Sequence, residues 1–191
     1  GGKTVLTRSH TWDKWTGRYR LEGKDKDGTP YLALMNLTTQ EGTAYKKGVL
    51  LSGDAKKQAL TKAYATWVND TYWLLMPYKM KDPGVVLKYD GVRTQGQDPC
   101  DVLALTFKSV GLTPKDTYWV WVNKKTHFVE RWDYVLQGDK PPAKTFLWTG
   151  WQRYGNVFLA PEREAPKDKT RIFFPVLEAP ALVPDSTFSG N

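Results

Sequence analysis

Cysteine is nearly absent: Cys100 is the only one in 191 residues. That excludes an intrachain disulfide and any metal site built on clustered cysteines. Histidine is almost as scarce. His10 and His127 are the only two and stand far apart in sequence, so a histidine site would need carboxylates to complete it, and no metal is expected. There is no G-x-S-x-G elbow, and no histidine lies near the single thiol in sequence, which argues against serine-hydrolase and thiol chemistry. Neither phosphate-binding glycine motif (G-x-x-x-x-G-K-[ST] or G-x-G-x-x-G) occurs. No stretch approaches the roughly 18 apolar residues of a membrane helix. The chain opens at Gly1-Gly2 with no apolar leader, so any export signal is expected to be removed ahead of residue 1. With no catalytic constellation and no cofactor motif, the expectation is a non-enzymatic protein that uses no cofactor.

Aromatic residues are abundant, at 14% of the chain with nine Trp and ten Tyr. Such side chains suit strands and also line apolar ligand sites. With 40% hydrophobic residues, disorder is excluded over most of the length, and 191 residues make one domain with a sizeable core. The net charge is +8. The cations come as scattered pairs (Lys24/Lys26, Lys46/Lys47, Lys56/Lys57, Lys79/Lys81, Lys124/Lys125, Lys167/Lys169). Several pairs fall at turns and read as solvated loop tips. They form no basic stripe, so no nucleic-acid partner is expected. An anionic membrane surface is compatible with this charge.

Turn-punctuated alternation predicts strands over residues 4–9, 16–23, 31–37 and 43–47. One helix follows. Asp54 is its N-cap, and Ala55, Ala59, Leu60, Ala63, Tyr64, Trp67 and Val68 recur on one side. It is expected to end near Asn69, with strands resuming at 71–76, 85–89 and 101–108, a polar loop at 91–99 and a turn at 113–116. A hairpin over 118–136 with Lys124-Lys125 at its tip would set Trp121 opposite Phe128 and Trp119 opposite Glu130. Its aromatic face would then carry Trp119, Trp121, Phe128, Glu130, Trp132 and Tyr134 and point inward. A one-residue slip would reverse that face. A loop at 138–144, a hairpin around Gly155 and an edge strand at 171–177 complete the reading. The fold class is mainly β: a curled antiparallel sheet or incomplete β-barrel of about ten strands, with a helix over its concave face.

The densest motif spans residues 69–84, N-D-T-Y-W-L-x-x-P-Y-K-x-x-D-P-G. Polar Asn69, Asp70, Lys79 and Asp82 bracket Tyr72, Trp73 and Met76, and Pro77, Pro83 and Gly84 set the backbone at its exit. With His10-Thr11-Trp12-Asp13 through Gly17, residues 110–114 and Glu130-Arg131-Trp132, it resembles the LolA/LolB-like superfamily, most closely a bacterial exported domain family of unknown function. The resemblance implies an incomplete antiparallel barrel plugged by helices, a periplasmic or otherwise exported location, and binding of lipids or lipoprotein acyl chains.

Candidate ligand-binding residues are Tyr72, Trp73, Met76, Trp119, Trp121, Phe128, Trp132 and Trp148 for apolar contact, with Glu130 among them on the same face. Lys79, Lys81 or Arg131 would meet an anionic headgroup. The aromatic face reads either as plain core or as the lining of a cavity. Glu130 reads either as a sheet-end salt bridge or as a polar anchor in a pocket. Asn69 and Asp70, with Pro77, Asp82, Pro83 and Gly84, are read as structural residues locking a helix–strand junction. Three functions remain open: a monomeric envelope protein binding an apolar ligand, a structural or interaction module of the envelope without a small-molecule ligand, and an enzyme in which Asp70, Lys79, Asp82 and His10 converge.

Overall fold

A computed structural model describes residues 4–108, 111–140 and 143–190. Val110 of the 110–114 segment and Pro141-Pro142 of the 138–144 loop lie outside the described residues. Among the described residues the protein is mainly β with one α-helix, and its strands form antiparallel sheets, as the alternation predicts. Fourteen strands occur among the described residues, more than the ten expected, because several short strands flank the hairpins. The chain divides into two compact units, residues 1–70 with 180–191 and residues 71–179.

In the first unit, β1 (Arg8–Trp12), β2 (Arg18–Lys24), β3 (Pro30–Asn36), β4 (Gly42–Lys46) and β5 (Val49–Leu50) form a meander in chain order. Register sets Tyr19 opposite Met35 and Leu21 opposite Ala33, and Ala33 opposite Ala44. These side chains share one face because strand side chains alternate. Onto them pack Leu60 and Ala63 of α1 (Gly53–Lys79), with Tyr64 and Trp67 alongside. Trp12 meets Trp67 edge-on at 5.3 Å. The chain end returns to this unit as a 3-10 turn, Asp185–Phe188, tied by Arg18 to Asp185 and by Arg20 to the carbonyls of Thr187 and Ser189.

The helix does not end near Asn69. It continues to Lys79 and takes in residues 71–76, which were expected as a strand. Asn69, Asp70 and Pro77 are all poor helix residues. Tertiary contact overrides them: Tyr72, Trp73 and Met76 fall on one face at helical spacing and pack against the core of the second unit. The Asp70 side chain is also drawn away from the local backbone, into an ion pair with Arg8.

The second unit holds the last turns of α1 and a seven-stranded sheet. Its strands are β6 (Val85–Gln95), β7 (Asp98–Phe107), β8 (Thr117–Asn123), β9 (Val129–Val135), β10 (Lys144–Thr149), β13 (Glu162–Glu164) and β14 (Arg171–Phe173), in the order β14-β13-β10-β9-β8-β7-β6. A separate hairpin joins β11 (Gln152–Tyr154) and β12 (Val157–Leu159). The expected loop at 91–99 is largely strand, since β6 runs on to Gln95 across a bulge near Asp90 and turns at Gly96. The edge position read from Pro175 holds for β14, which stops two residues before it.

The β8–β9 hairpin departs from its expected register. Asn123 Oδ1 accepts the backbone N–H groups of Lys125 and Thr126, and His127 takes a left-handed φ of 62°. This makes a longer turn than the two-residue tip. Glu130 is then an extra residue: Val122 pairs with Val129, but Trp121 pairs with Arg131. That bulge flips the faces of the strand beyond it. Trp132 and Tyr134 therefore lie opposite Val120 and Tyr118, whereas Trp119 and Trp121 lie opposite Asp133 and Arg131.

Candidate ligand site

The bulge at Glu130 divides the expected aromatic face between the two sides of the sheet. Trp132 and Trp148 join Tyr72, Trp73 and Met76 in the core of the second unit, with Tyr118, Tyr134 and Phe146. Trp119, Trp121, Glu130 and Arg131 lie on the opposite side, around Cys100 and Val102. Phe128 belongs to neither strand; it stacks on Trp151 at 4.8 Å. Lys79 forms an ion pair with Asp82 at 2.6 Å.

On the Cys100 side the polar groups are mutually satisfied. Trp121 Nε1 donates to Asp133 Oδ2 at 2.9 Å. Asp133 Oδ1 accepts from Arg131 Nε at 2.9 Å and from the Thr145 hydroxyl at 2.6 Å. Arg131 lies over the Trp121 ring, with its carbon centre 4.3 Å from the centroid. Glu130 accepts from Asn123 Nδ2 at 2.6 Å, and the Cys100 thiol points at its other oxygen. Burial, with the Glu130 charge beside it, pushes the Cys100 thiol pKa up. Buried polar groups that are fully paired rigidify a sheet, so this side reads as structure, and Glu130 is neither of the two things expected of it but the pinned residue of a bulge.

On the helix side the rings are contiguous. Trp73 meets Trp132 edge-on at 4.7 Å and Phe146 at 4.9 Å. Tyr72 stacks on Trp132 at 6.0 Å, and Trp132 meets Trp148 at 5.5 Å. The helical part of this layer ends weakly. Pro77 has no N–H for the carbonyl of Trp73, four residues back. Beyond it, the Tyr78 hydroxyl donates to the carbonyl of Phe158 at 2.8 Å and accepts that residue's N–H at 3.0 Å. Half-exposed Tyr78 thus latches the helix end to β12.

Arg163 of β13 completes this side. Register places it opposite Trp148, and its guanidinium stacks 3.4 Å from the Trp148 ring centroid. It is 0% exposed. Nη1 donates to the carbonyls of Ala160 and Glu162, both at 2.8 Å. Nε and Nη2 have no acceptor among the described residues, nor do the indole N–H groups of Trp148 and Trp132 or the Tyr72 hydroxyl. Burial pushes the Arg163 pKa down to about 9, which still leaves a cation at neutral pH. Sequence reasoning missed this residue because Glu162-Arg163-Glu164 reads as a solvated charged run. The available signal was parity, since Arg163 shares a cross-strand position with Ile172.

The groups named for catalysis divide between the two units. In the first unit Asp70 Oδ2 pairs with Arg8 Nη1 at 2.7 Å and His10 Nε2 at 3.3 Å, while His10 Nδ1 bonds the Tyr19 hydroxyl at 2.7 Å. Burial raises the Asp70 pKa, but hydrogen bonds from His10, Asn69 and Arg8 outweigh it and hold the carboxyl below its ordinary value. Tyr19 is fully buried and its pKa is pushed strongly up, so it stays a neutral donor. Lys79 and Asp82 bind each other in the second unit. Among the described residues no group of His, Cys, Asp and Glu could hold a metal ion.

No family model matches the chain, and no curated protein matches it. Solved structures similar to it include a DUF1329 family protein from Desulfovibrio piger, with a TM-score of 0.52 and 16% identity over 96% of this chain and 81% of that one. This shows a shared fold. Two others are a LolA superfamily protein from Nitrosomonas europaea (TM-score 0.39, 9% identity, 90% and 81% covered) and a domain assigned to outer membrane lipoprotein sorting from Vibrio parahaemolyticus (0.43, 9%, 96% and 80%).

Proposed function

We propose that this chain is an exported bacterial envelope protein that binds an apolar ligand, a lipid or acyl chain, against the aromatic layer of its seven-stranded sheet. The observation that carries this reading is the cover of that layer. Tyr72, Trp73 and Met76 close it from a helix end weakened by Pro77 and held by a latch of two hydrogen bonds at Tyr78. An apolar chain entering there would replace ring contacts with ring contacts, at little cost in solvation. The motif at 69–84 that resembles the LolA/LolB-like superfamily is the stretch that supplies the cover, which ties the resemblance to the ligand and to export. No helix among the described residues is long and apolar enough to cross a membrane. Native mass spectrometry and solvent extraction of the purified protein test the reading. An acyl-chain adduct is expected. Ligand-free protein that takes up no offered fatty acid would sink it.

A second reading, an envelope interaction module, is favoured by the edge strand β14, where Phe173 at its end and Val176 beyond it are more than half exposed. An exposed edge can accept a strand from another chain. Crosslinking from residue 173 in envelope extracts to one discrete protein, with no lipid adduct, would favour it.

A further inference from the structure

Arg163 is buried as a cation and forms no ion pair with a carboxylate among the described residues. A lone buried charge is costly unless it is paired, and mutating one for packing alone would leave an apolar residue here, as at Trp148 and Ile172 on the same register line. The details of its bonding are informative. Nη1, on the far side of the guanidinium, is consumed by the Ala160 and Glu162 carbonyls and fixes the group in place. The free nitrogens, Nε and Nη2, share one edge. That edge offers two parallel N–H bonds at the spacing of two oxygens of one carboxylate or phosphate. The plane is set by stacking on Trp148. The other groups on this side without an acceptor, Trp148 Nε1, Trp132 Nε1 and Tyr72 OH, are donors too. Their rings form one contiguous run, Trp148–Trp132–Tyr72. The guanidinium and the two indoles can only donate and the Tyr72 hydroxyl can donate as well; embedded in aromatic carbon, they suit an acceptor that carries an apolar body.

We infer that Arg163 receives the oxyanion head of an amphiphile, a carboxylate or phosphate attached to an acyl chain, through its free Nε–Nη2 edge. The inference rests on the proposed apolar-ligand function and specifies the ligand's chemical class. It also relocates the headgroup contact from Lys79, Lys81 or Arg131 to a residue inside the core. The route passes the latch: Ala160, which anchors Arg163, is two residues from Phe158, which Tyr78 holds.

The test is calorimetric titration of the delipidated full chain with hexadecanoate, hexadecyl phosphate, hexadecanol and inorganic phosphate. Wild type is expected to bind at least one of the two charged amphiphiles about tenfold or more tightly than the alcohol, the value of a charge-assisted bond. The tighter of the two names the headgroup. Arg163→Met should bind hexadecanoate, hexadecyl phosphate and hexadecanol alike. Arg163→Lys, which keeps the charge and loses the fork, should lose most of the preference. Equal binding of the three apolar probes by wild type overturns this inference and leaves the apolar-ligand reading standing. Binding of none of them overturns both. Inorganic phosphate bound as tightly as its alkyl ester would make the site a free-anion site and overturn the amphiphile. Should Arg163→Met fail to fold by circular dichroism, the wild-type ranking decides alone.

Discussion

Replacing Tyr78 with Phe removes one oxygen and keeps the ring. The hydroxyl makes two hydrogen bonds to the backbone of Phe158, at 2.8 and 3.0 Å. Each such bond contributes about 0.5–1.5 kcal/mol net. Tyr78 is 52% exposed, so water takes over part of both, and the loss should come to about 1 kcal/mol, roughly a fivefold shift in an equilibrium. The shift should be local. Pro77 already leaves the Trp73 carbonyl without its helical partner, so the segment beyond Trp73 can open while the strands stay formed. Native-state hydrogen exchange measures this directly. The amides of Met76, Tyr78, Lys79 and Phe158 should exchange about fivefold faster in the variant, while those of β7, β8 and β9 keep the wild-type rate. An unchanged rate at 76–79 would refute the latch. An equal acceleration everywhere would show that the hydroxyl supports global stability and gates nothing.

Other consequences follow from the same geometry. Trp132→Ala removes a ring that touches Tyr72, Trp73, Tyr118, Tyr134 and Trp148, and denaturant melting should show a loss of about 3–5 kcal/mol. Asp70→Asn strands Arg8 and should cost about 1–2 kcal/mol near neutral pH. Because the folded Asp70 pKa is depressed, that contribution is complete above the unfolded value of about 3.9 and disappears as pH falls through the folded value. The gap between wild type and variant in acid titrations should therefore close only below that pH; a gap that closes near neutrality would contradict the network. Cys100 is fully buried with its thiol pKa raised, so a thiol reagent at neutral pH should label it only in denaturant. Rapid labelling of the native protein would place it in a different environment.

Much of the architecture is legible in the residues. Alternation places β2, β3 and β4 to within two residues, though the first strand lies at Arg8–Trp12 and not at 4–9; Asp54, read as the N-cap, lies inside the first turn of α1, which starts at Gly53; and Pro175 marks the edge at β14. Three features are not legible, for separate physical reasons. The helix runs through Asn69, Asp70 and Pro77 because Tyr72, Trp73 and Met76 gain more by packing than the breakers lose. Local signals carry no record of that partner surface. The reversal of the aromatic face comes from one inserted residue, Glu130, and a bulge leaves the strand's composition unchanged. Arg163 sits between two glutamates that reach outward, so its neighbours in sequence disguise its neighbours in space, Trp148 above all. The motif at 69–84 does not form the expected helix–strand junction, because α1 continues through it to Lys79. Its aromatic members are the cover of a buried aromatic layer, and its Asp70 ties helix to strand in the first unit.

Native mass spectrometry of the full chain, isolated without detergent, tests the central claim most directly. Binding of an amphiphile predicts a non-covalent one-to-one adduct that solvent extraction resolves into an acyl chain bearing a carboxylate or phosphate. A bare chain mass that persists after incubation with excess hexadecanoate and hexadecyl phosphate would contradict it.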